Sequence, residues 1–263
     1  MPQLTINDIT INLQERGQGT PLLLVHGFPL DHSMWTGQLD ALSDICRVIA
    51  PDLRGFGASG VTAGTVTMEK YADDLAALLD GLKITEPIVL CGLSMGGYVA
   101  WQFAFRHRQR LAKLVLCDTR AIADSPEAAA GRLKMAEKVL AEGSQVAADA
   151  MQPKLFGPST ASQQPQIVES TSQVMRRNPP AGIAAALHGM AQRPDVTSRL
   201  GEISVPALVI CGQHDGISPP AEMRQIAEKL PQARFVEIPG VGHMSPLEAP
   251  GLVNDEIRRF IKE

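Results

Sequence analysis

The sequence predicts an α/β fold: an eight-stranded, mostly parallel sheet with helices on both faces and a helical cap inserted after strand 6. Three observations lead there. The runs at 21–25, 87–91, 113–117 and 205–211 are apolar nearly throughout, as strands buried on both faces are, and do not alternate with polar residues. Helical periodicities stand between such runs, so strand and helix follow one another along the chain. From Thr119 to Leu200 that rhythm stops for about 80 residues, where connections in α/β units usually take about 2–6. The expected organisation is a core of residues 1–119 and 201–263, interrupted by a cap of residues 120–200.

The chain opens antiparallel, because residues 4–6 and 9–13 flank Asn7-Asp8 as the arms of a hairpin would. Residues 21–25 (PLLLV) form a buried strand that ends at His26-Gly27-Phe28-Pro29. Residues 31–42 carry Met34, Trp35, Leu39 and Leu42 at helical spacing, and 47–50 (RVIA) give a strand ending in Pro51-Asp52. Met68, Ala72, Leu75, Leu78, Leu79 and Leu82 form the apolar face of a helix over 68–82. A strand over 87–91 leads to a helix over 95–107, and 113–117 repeats the parallel-strand pattern. In the insertion, Ser125-Pro126-Glu127 is a helix start with Ser as the cap and Pro in the first turn. Pro153, Gly157-Pro158 and Pro179-Pro180 divide the remainder of the insertion into several short helices. Met135, Met151, Met175 and Met190 fall inside it and either mould to an apolar ligand or fill the insertion's own core. A strand over 205–211, a helix over 221–230, a strand over 233–238, a loop over 239–245 and a helix over 249–262 complete the chain.

Composition narrows the function. With 44% hydrophobic and 20% charged residues the chain resembles ordinary globular proteins, and its length buries a core without staples. A net charge of −4 offers no broad attraction to phosphate backbones or anionic lipid, so neither nucleic acid nor membrane is expected as a partner. The densest basic run, 106–110, sits where a helix ends and suits its dipole. The first ten residues lack the charged and apolar regions of a leader, and no stretch reaches the ~18 apolar residues that span a bilayer. A cytoplasmic location is expected. The four cysteines show no C-x-x-C or other zinc spacing and read as reduced core residues, so no metal is expected. Gly55 to Gly60 formally satisfies G-x-G-x-x-G, but no helix opens at its glycines, and a dinucleotide cofactor is rejected with it.

The chemistry centres on residues 91–98 (CGLSMGGY), which contain G-x-S-x-G at a strand-to-helix corner. That corner crowds the residues two before and two after the serine, and both are glycine, Gly92 and Gly96. Ser94 is therefore the candidate nucleophile. A serine hydroxyl needs a general base, and the base needs a partner that holds its tautomer. Of six histidines, His32, His107 and His188 fall on predicted helices and His26 adjoins Gly27, which leaves His214 and His243 beyond the last two strands. Neighbours on an extended segment point opposite ways, so Asp215 faces inward with His214 outward, and His243 reaches over from the final strand. Asp118, at the end of the strand beside the elbow, is the rival acid. The backbone N–H groups of Phe28 and Met95 are the expected oxyanion donors. Phe28, Trp35 and Met244 are the candidate pocket lining.

HGFP at 26–29, DLRGFGAS at 52–59, CGLSMGG at 91–97, GQHD at 212–215 and GVGH at 240–243 are similar to the oxyanion, structural, elbow, acid and histidine loops of the α/β-hydrolase superfamily. Nearly the whole chain resembles it, and the chain order Ser94, Asp215, His243 is the order of that fold. HSMW at 32–35, RHRQRLAKLVLCDT at 106–119 and VPALVICGQHD at 205–215 look like its enol-lactone hydrolase and small carboxylesterase branch. The resemblance implies an α/β-hydrolase fold and a serine hydrolase of small to medium acyl or aryl esters. It would act through an acyl-enzyme, with no cofactor and a small-molecule ester or lactone as its partner. A 3-oxoadipate enol-lactonase-like lactone hydrolase and a cofactor-free perhydrolase are alternatives within the superfamily. A catalytically silent ligand-binding receptor on the same fold is the non-enzyme alternative.

Overall fold

A computed structural model describes residues 3–263; residues 1 and 2, inside the range expected for the core, lie outside the described residues. The first hairpin pairs β1 (Gln3–Ile6) with β2 (Ile9–Arg16) around Asn7, whose φ of 45° is one that asparagine tolerates. Then follow β3 (Thr20–Val25), α1 (Thr36–Leu42), β4 (Cys46–Pro51), α2 (Met68–Gly81), β5 (Ile88–Leu93), α3 (Met95–Arg106) and β6 (Leu111–Cys117). Five helices intervene before the sheet resumes: α4 (Pro126–Glu142), α5 (Gln145–Leu155), α6 (Pro158–Gln163), α7 (Pro165–Arg177) and α8 (Pro180–Ala191). The sheet continues with β7 (Ala207–Gly212), α9 (Pro220–Lys229) and β8 (Ala233–Ile238), and the chain ends in α10 (Ser245–Glu248) and α11 (Pro250–Lys262).

The strands lie in the order β1-β2-β4-β3-β5-β6-β7-β8, with β2 antiparallel to β1 and β4 and every later neighbour parallel. Alternation of side chains explains the continuous apolar runs. Leu23, Val25 and Leu90 face the layer that holds α2, α3 and α9, whereas Leu22, Leu24 and Cys91 face α1 and α11. Burying each such leucine or valine contributes about 1.5–3 kcal/mol, so both faces must be covered.

Three boundaries differ from the sequence expectation. The helix expected over 31–42 begins as a tight turn at His32–Trp35, because Asp31 caps Ser33, and becomes α1 only at Thr36. The closing helix expected over 249–262 is found as α11, but a separate short helix, α10, precedes it; Pro250 lacks the N–H that would join the two ladders, and Ala249 stands at φ −132° between them. Proline punctuates the insertion as expected at Pro158 and Pro180, which open α6 and α8, but Pro153 is accommodated near the end of α5.

The inserted helices are seated on the core at specific points. Gly182 in α8 meets Gly55 backbone to backbone, a contact that a Cβ on either residue would block. The Val66 N–H donates to the Ala185 carbonyl. The Gly55 to Gly60 segment thus forms part of the seat for the insertion. All four cysteines are free and buried. No helix among the described residues is long and apolar enough to cross a membrane.

Candidate active site

Ser94 sits between β5 and α3 with φ 53° and ψ −112°, a conformation that costs a non-glycine residue about 1–3 kcal/mol and must be held by its surroundings. The holding groups come from β6 and the residues just after it. The Ser94 N–H donates to the Cys117 carbonyl at 3.0 Å, and the Ser94 carbonyl accepts from the Thr119 hydroxyl at 2.7 Å. A Cβ on Gly92 would collide with the Gly96 carbonyl, and one on Gly96 with the Val25 carbonyl, so both glycines are demanded by close approach.

His243 Nε2 lies 2.8 Å from Ser94 Oγ, and its Nδ1 lies 2.9 Å from Asp215 Oδ2. Three residues far apart in sequence therefore form a continuous hydrogen-bonded line. Asp215 is buried beyond β7 while His214 is exposed, as the alternation argument expects. Burial works against protonated His243, but the charge and hydrogen bond of Asp215 outweigh it and raise its pKa above the ordinary 6.5. Burial likewise opposes ionised Asp215, and the imidazole with the Ser218 donors keeps its pKa below the ordinary carboxylate value.

The expected oxyanion donors lie at the same corner. A Cβ on Gly27 would stand 3.5 Å from Ser94 Cβ, so the loop carrying Phe28 packs directly against the elbow. Among the described residues, neither the Phe28 N–H nor the Met95 N–H donates to a protein acceptor. His26 braces this loop from behind: its Nε2 accepts the Leu53 N–H at 3.0 Å and its Nδ1 lies 2.9 Å from the Gly27 carbonyl. That pattern requires the proton on Nδ1, and full burial lowers the His26 pKa, so the ring is neutral.

A cavity of about 210 Å³ lies between Phe28 and the inserted helices. Met135, Met151, Ala147 and Leu187 supply its apolar wall, and Lys154 and Arg132, the latter paired with Asp124, line the rest. The four methionines thus divide between the two readings: Met135 and Met151 line the cavity, whereas Met175 and Met190 are buried in the core. Of the three expected lining residues only Phe28 is found there. Trp35, fully buried, packs with Leu39 and Leu42 beneath the sheet, and Met244 is held in the same apolar cluster. Trp35 has the right spacing for a helix face but turns that face to the core.

Several supporting side chains escape the sequence reading. Ser218 donates its hydroxyl to Asp215 Oδ2 at 2.5 Å, and the Ile217 and Ser218 N–H groups donate to Oδ1. An Asp followed three residues later by Ser is the available signal for that turn. Glu248 accepts N–H bonds from Gly242, Met244 and Gly157, tying the histidine loop to the segment after α5. Asn178 accepts from the Gly57 N–H at 2.6 Å and donates to the Pro29 carbonyl at 2.8 Å. Two groups of potential metal ligands, Asp31/His32/Asp52 and Asp118/Cys211/Asp215, each gather within 4.8 Å. Their carboxylates are engaged by neighbouring side chains and N–H groups.

The family described as alpha/beta hydrolase fold matches residues 20–250, most of the chain. This protein belongs to the α/β-hydrolase fold family. Among solved structures, a thermophilic esterase from Thermogutta terrifontis is 49% identical, covers 99% of this hydrolase and 97% of its own chain, and superposes with a TM-score of 0.97. The enol-lactonase from Burkholderia xenovorans LB400 is 31% identical over 100% of both chains, with a TM-score of 0.93. The 3-oxoadipate enol-lactonase 2 of Acinetobacter baylyi is 28% identical over 98% of this hydrolase and 96% of its own length.

Proposed function

We propose that the protein hydrolyses carboxylic esters of small to medium acyl or aryl groups through an acyl-enzyme formed on Ser94. The observation that carries this reading is the line Ser94 Oγ, His243 Nε2, His243 Nδ1, Asp215 Oδ2, with contacts of 2.8 and 2.9 Å. His243 takes the serine proton as Oγ attacks the acyl carbon, then returns it to the leaving alcohol; water activated by the same imidazole releases the acid. Asp215 holds the Nδ1–H tautomer and stabilises the imidazolium that forms. The Phe28 and Met95 N–H groups receive the developing oxyanion, each worth about 10²–10³-fold in rate by analogy with other such donors.

Residues 120–200 act as a cap that selects the acyl group. A cavity of about 210 Å³ is smaller than the roughly 300–1,000 Å³ of drug-sized ligand sites, which favours short substrates. Lactone hydrolysis is the second reading. 3-Oxoadipate is a dicarboxylate, so its lactone keeps one free carboxylate, and Lys154 puts positive charge on the cavity wall beside Arg132, whose guanidinium is paired with Asp124. A silent receptor would need neither a strained serine nor a histidine within bonding distance of it.

Treatment with a short p-nitrophenyl ester and with a fluorophosphonate probe tests the proposal. Turnover together with labelling at Ser94, both abolished in Ser94→Ala, is the expected result. A properly folded wild-type protein that neither turns over esters nor labels would overturn it.

A further inference from the structure

Asp118 is the rival for the acid position, and its geometry gives it other work. It stands immediately after β6 with φ 47°, the second strained non-glycine residue beside Ser94 at this end of the sheet. Its Oδ1 accepts the Gly212 N–H at 2.8 Å, at the root of the loop that carries Asp215. Its Oδ2 is bonded to the Ser245 hydroxyl and lies 3.3 Å from the Ser245 N–H, two residues after His243. Among the described residues, neither oxygen is hydrogen-bonded to the imidazole, whereas Asp215 Oδ2 is.

We propose that Asp118 is a positioning residue, a neutral carboxyl group that clasps the Asp215 loop to the His243 loop and so aligns the two for catalysis. This rests on the reading of Ser94, His243 and Asp215 as the catalytic line. The environment argues for a neutral acid. Asp118 is completely buried, with oxygens of Asp118 and Asp215 and the Cys211 sulfur all within 4.8 Å of one another. The titratable groups that face it are Asp215 beyond β7, His243 beyond β8, Cys211 on β7 and Cys117 on β6. No lysine or arginine pairs with it among the described residues. Burial first, and then the Asp215 charge, push its pKa up to about 8. A second full negative charge in that space would have only the imidazole to balance it. The ionised group accepts the Ser245 hydroxyl and N–H on Oδ2; with a proton on Oδ2 the hydroxyl turns and accepts it, while Oδ1 still accepts the Gly212 N–H.

Asparagine keeps the neutral charge, the acceptor for Gly212 and a donor for the Ser245 hydroxyl, gives up only the long 3.3 Å bond from the Ser245 N–H, and tolerates positive φ, so Asp118→Asn separates charge from the clasp. The experiment measures kcat/KM for p-nitrophenyl butyrate against pH, from about 6 to 10, in the wild type and in Asp118→Asn. At pH 7 the variant should retain activity within about threefold of wild type, because the native group is already neutral there. Near pH 8 the wild type should gain a step that the variant lacks, since ionised Asp118 would stabilise the imidazolium formed in the transition state. Asp118→Ala removes the clasp and should lower kcat with little change in KM. A loss of about 100-fold in Asp118→Asn at every pH would overturn the proposal by making Asp118 a working anion. A wild-type to Asp118→Asn ratio that is constant across the range would overturn it as well. Either result with fluorophosphonate labelling of Ser94 intact leaves the hydrolase reading standing, so the two fail separately.

Discussion

In the proposed mechanism His243 meets two opposing demands: it must be neutral to accept a proton and cationic in the transition state that comes next. Burial disfavours the cation, and the Asp215 carboxylate at 2.9 Å more than restores it, so the folded pKa stands above 6.5. Below that raised value the ring is protonated and cannot serve as a base. The acid limb of kcat/KM should therefore have its midpoint above pH 6.5, and activity should rise as pH rises through it. Asp215→Asn removes the stabilising charge but leaves the burial, which should move the midpoint downward and lower kcat by about 10³–10⁴-fold, as loss of the acid does in comparable triads. A pH-rate profile of the two proteins checks both statements, and an unchanged midpoint would mean that Asp215 does not tune the ring.

The loop of Phe28, proposed to receive the oxyanion, is positioned from two sides, by His26 in the core and by Asn178 between α7 and α8. Asn178 is fully buried, and its amide spans Gly57, Pro29 and the Val174 carbonyl. Asn178→Ala would strand the buried Pro29 carbonyl, at about 1–3 kcal/mol when left unpaired, and the partly buried Gly57 N–H, at less. Thermal unfolding should show that loss, and kcat should fall by about 10-fold or more as the Phe28 N–H drifts, with KM changing less. Such a link explains what is and is not legible in the sequence. Elements repeat with a period: Ser94 and Asp215 follow strands that short apolar runs announce and His243 follows the strand over 233–238, so their convergence is visible beforehand. Asn178, Ser218, Glu248 and the clasp role of Asp118 depend on contacts across the chain: Asn178 meets a carbonyl 149 residues away. A helix-ending Asn before Pro-Pro reads only as punctuation. Trp35 is misplaced for a related reason, since periodicity identifies an apolar face without saying which layer it meets.

At the scale of the molecule, the proposed function divides between the sheet and the inserted helices. Ser94, His243 and Asp215 are fixed by strand ends, whereas the cavity wall opposite Phe28 comes from α4, α5 and α8. Substitutions in that wall should therefore alter which ester is hydrolysed without altering the machinery that hydrolyses it. Met135 and Met151 are the sharpest probes, being half-buried in the cavity, not locked in the core as Met175 and Met190 are. Met135→Ala enlarges the apolar space by removing a flexible side chain. A methylene in such a pocket discriminates by about 1–3 kcal/mol, so the kcat/KM ratio of octanoate to butyrate p-nitrophenyl esters should rise by about 10-fold or more. The rate of Ser94 labelling by a minimal fluorophosphonate, too short to fill this cavity, should stay near the wild-type value. If Met135→Ala instead slowed labelling as strongly as it changed the ester ratio, the insertion would be shaping the catalytic line itself, and the division between selecting helices and reacting strand ends would not hold.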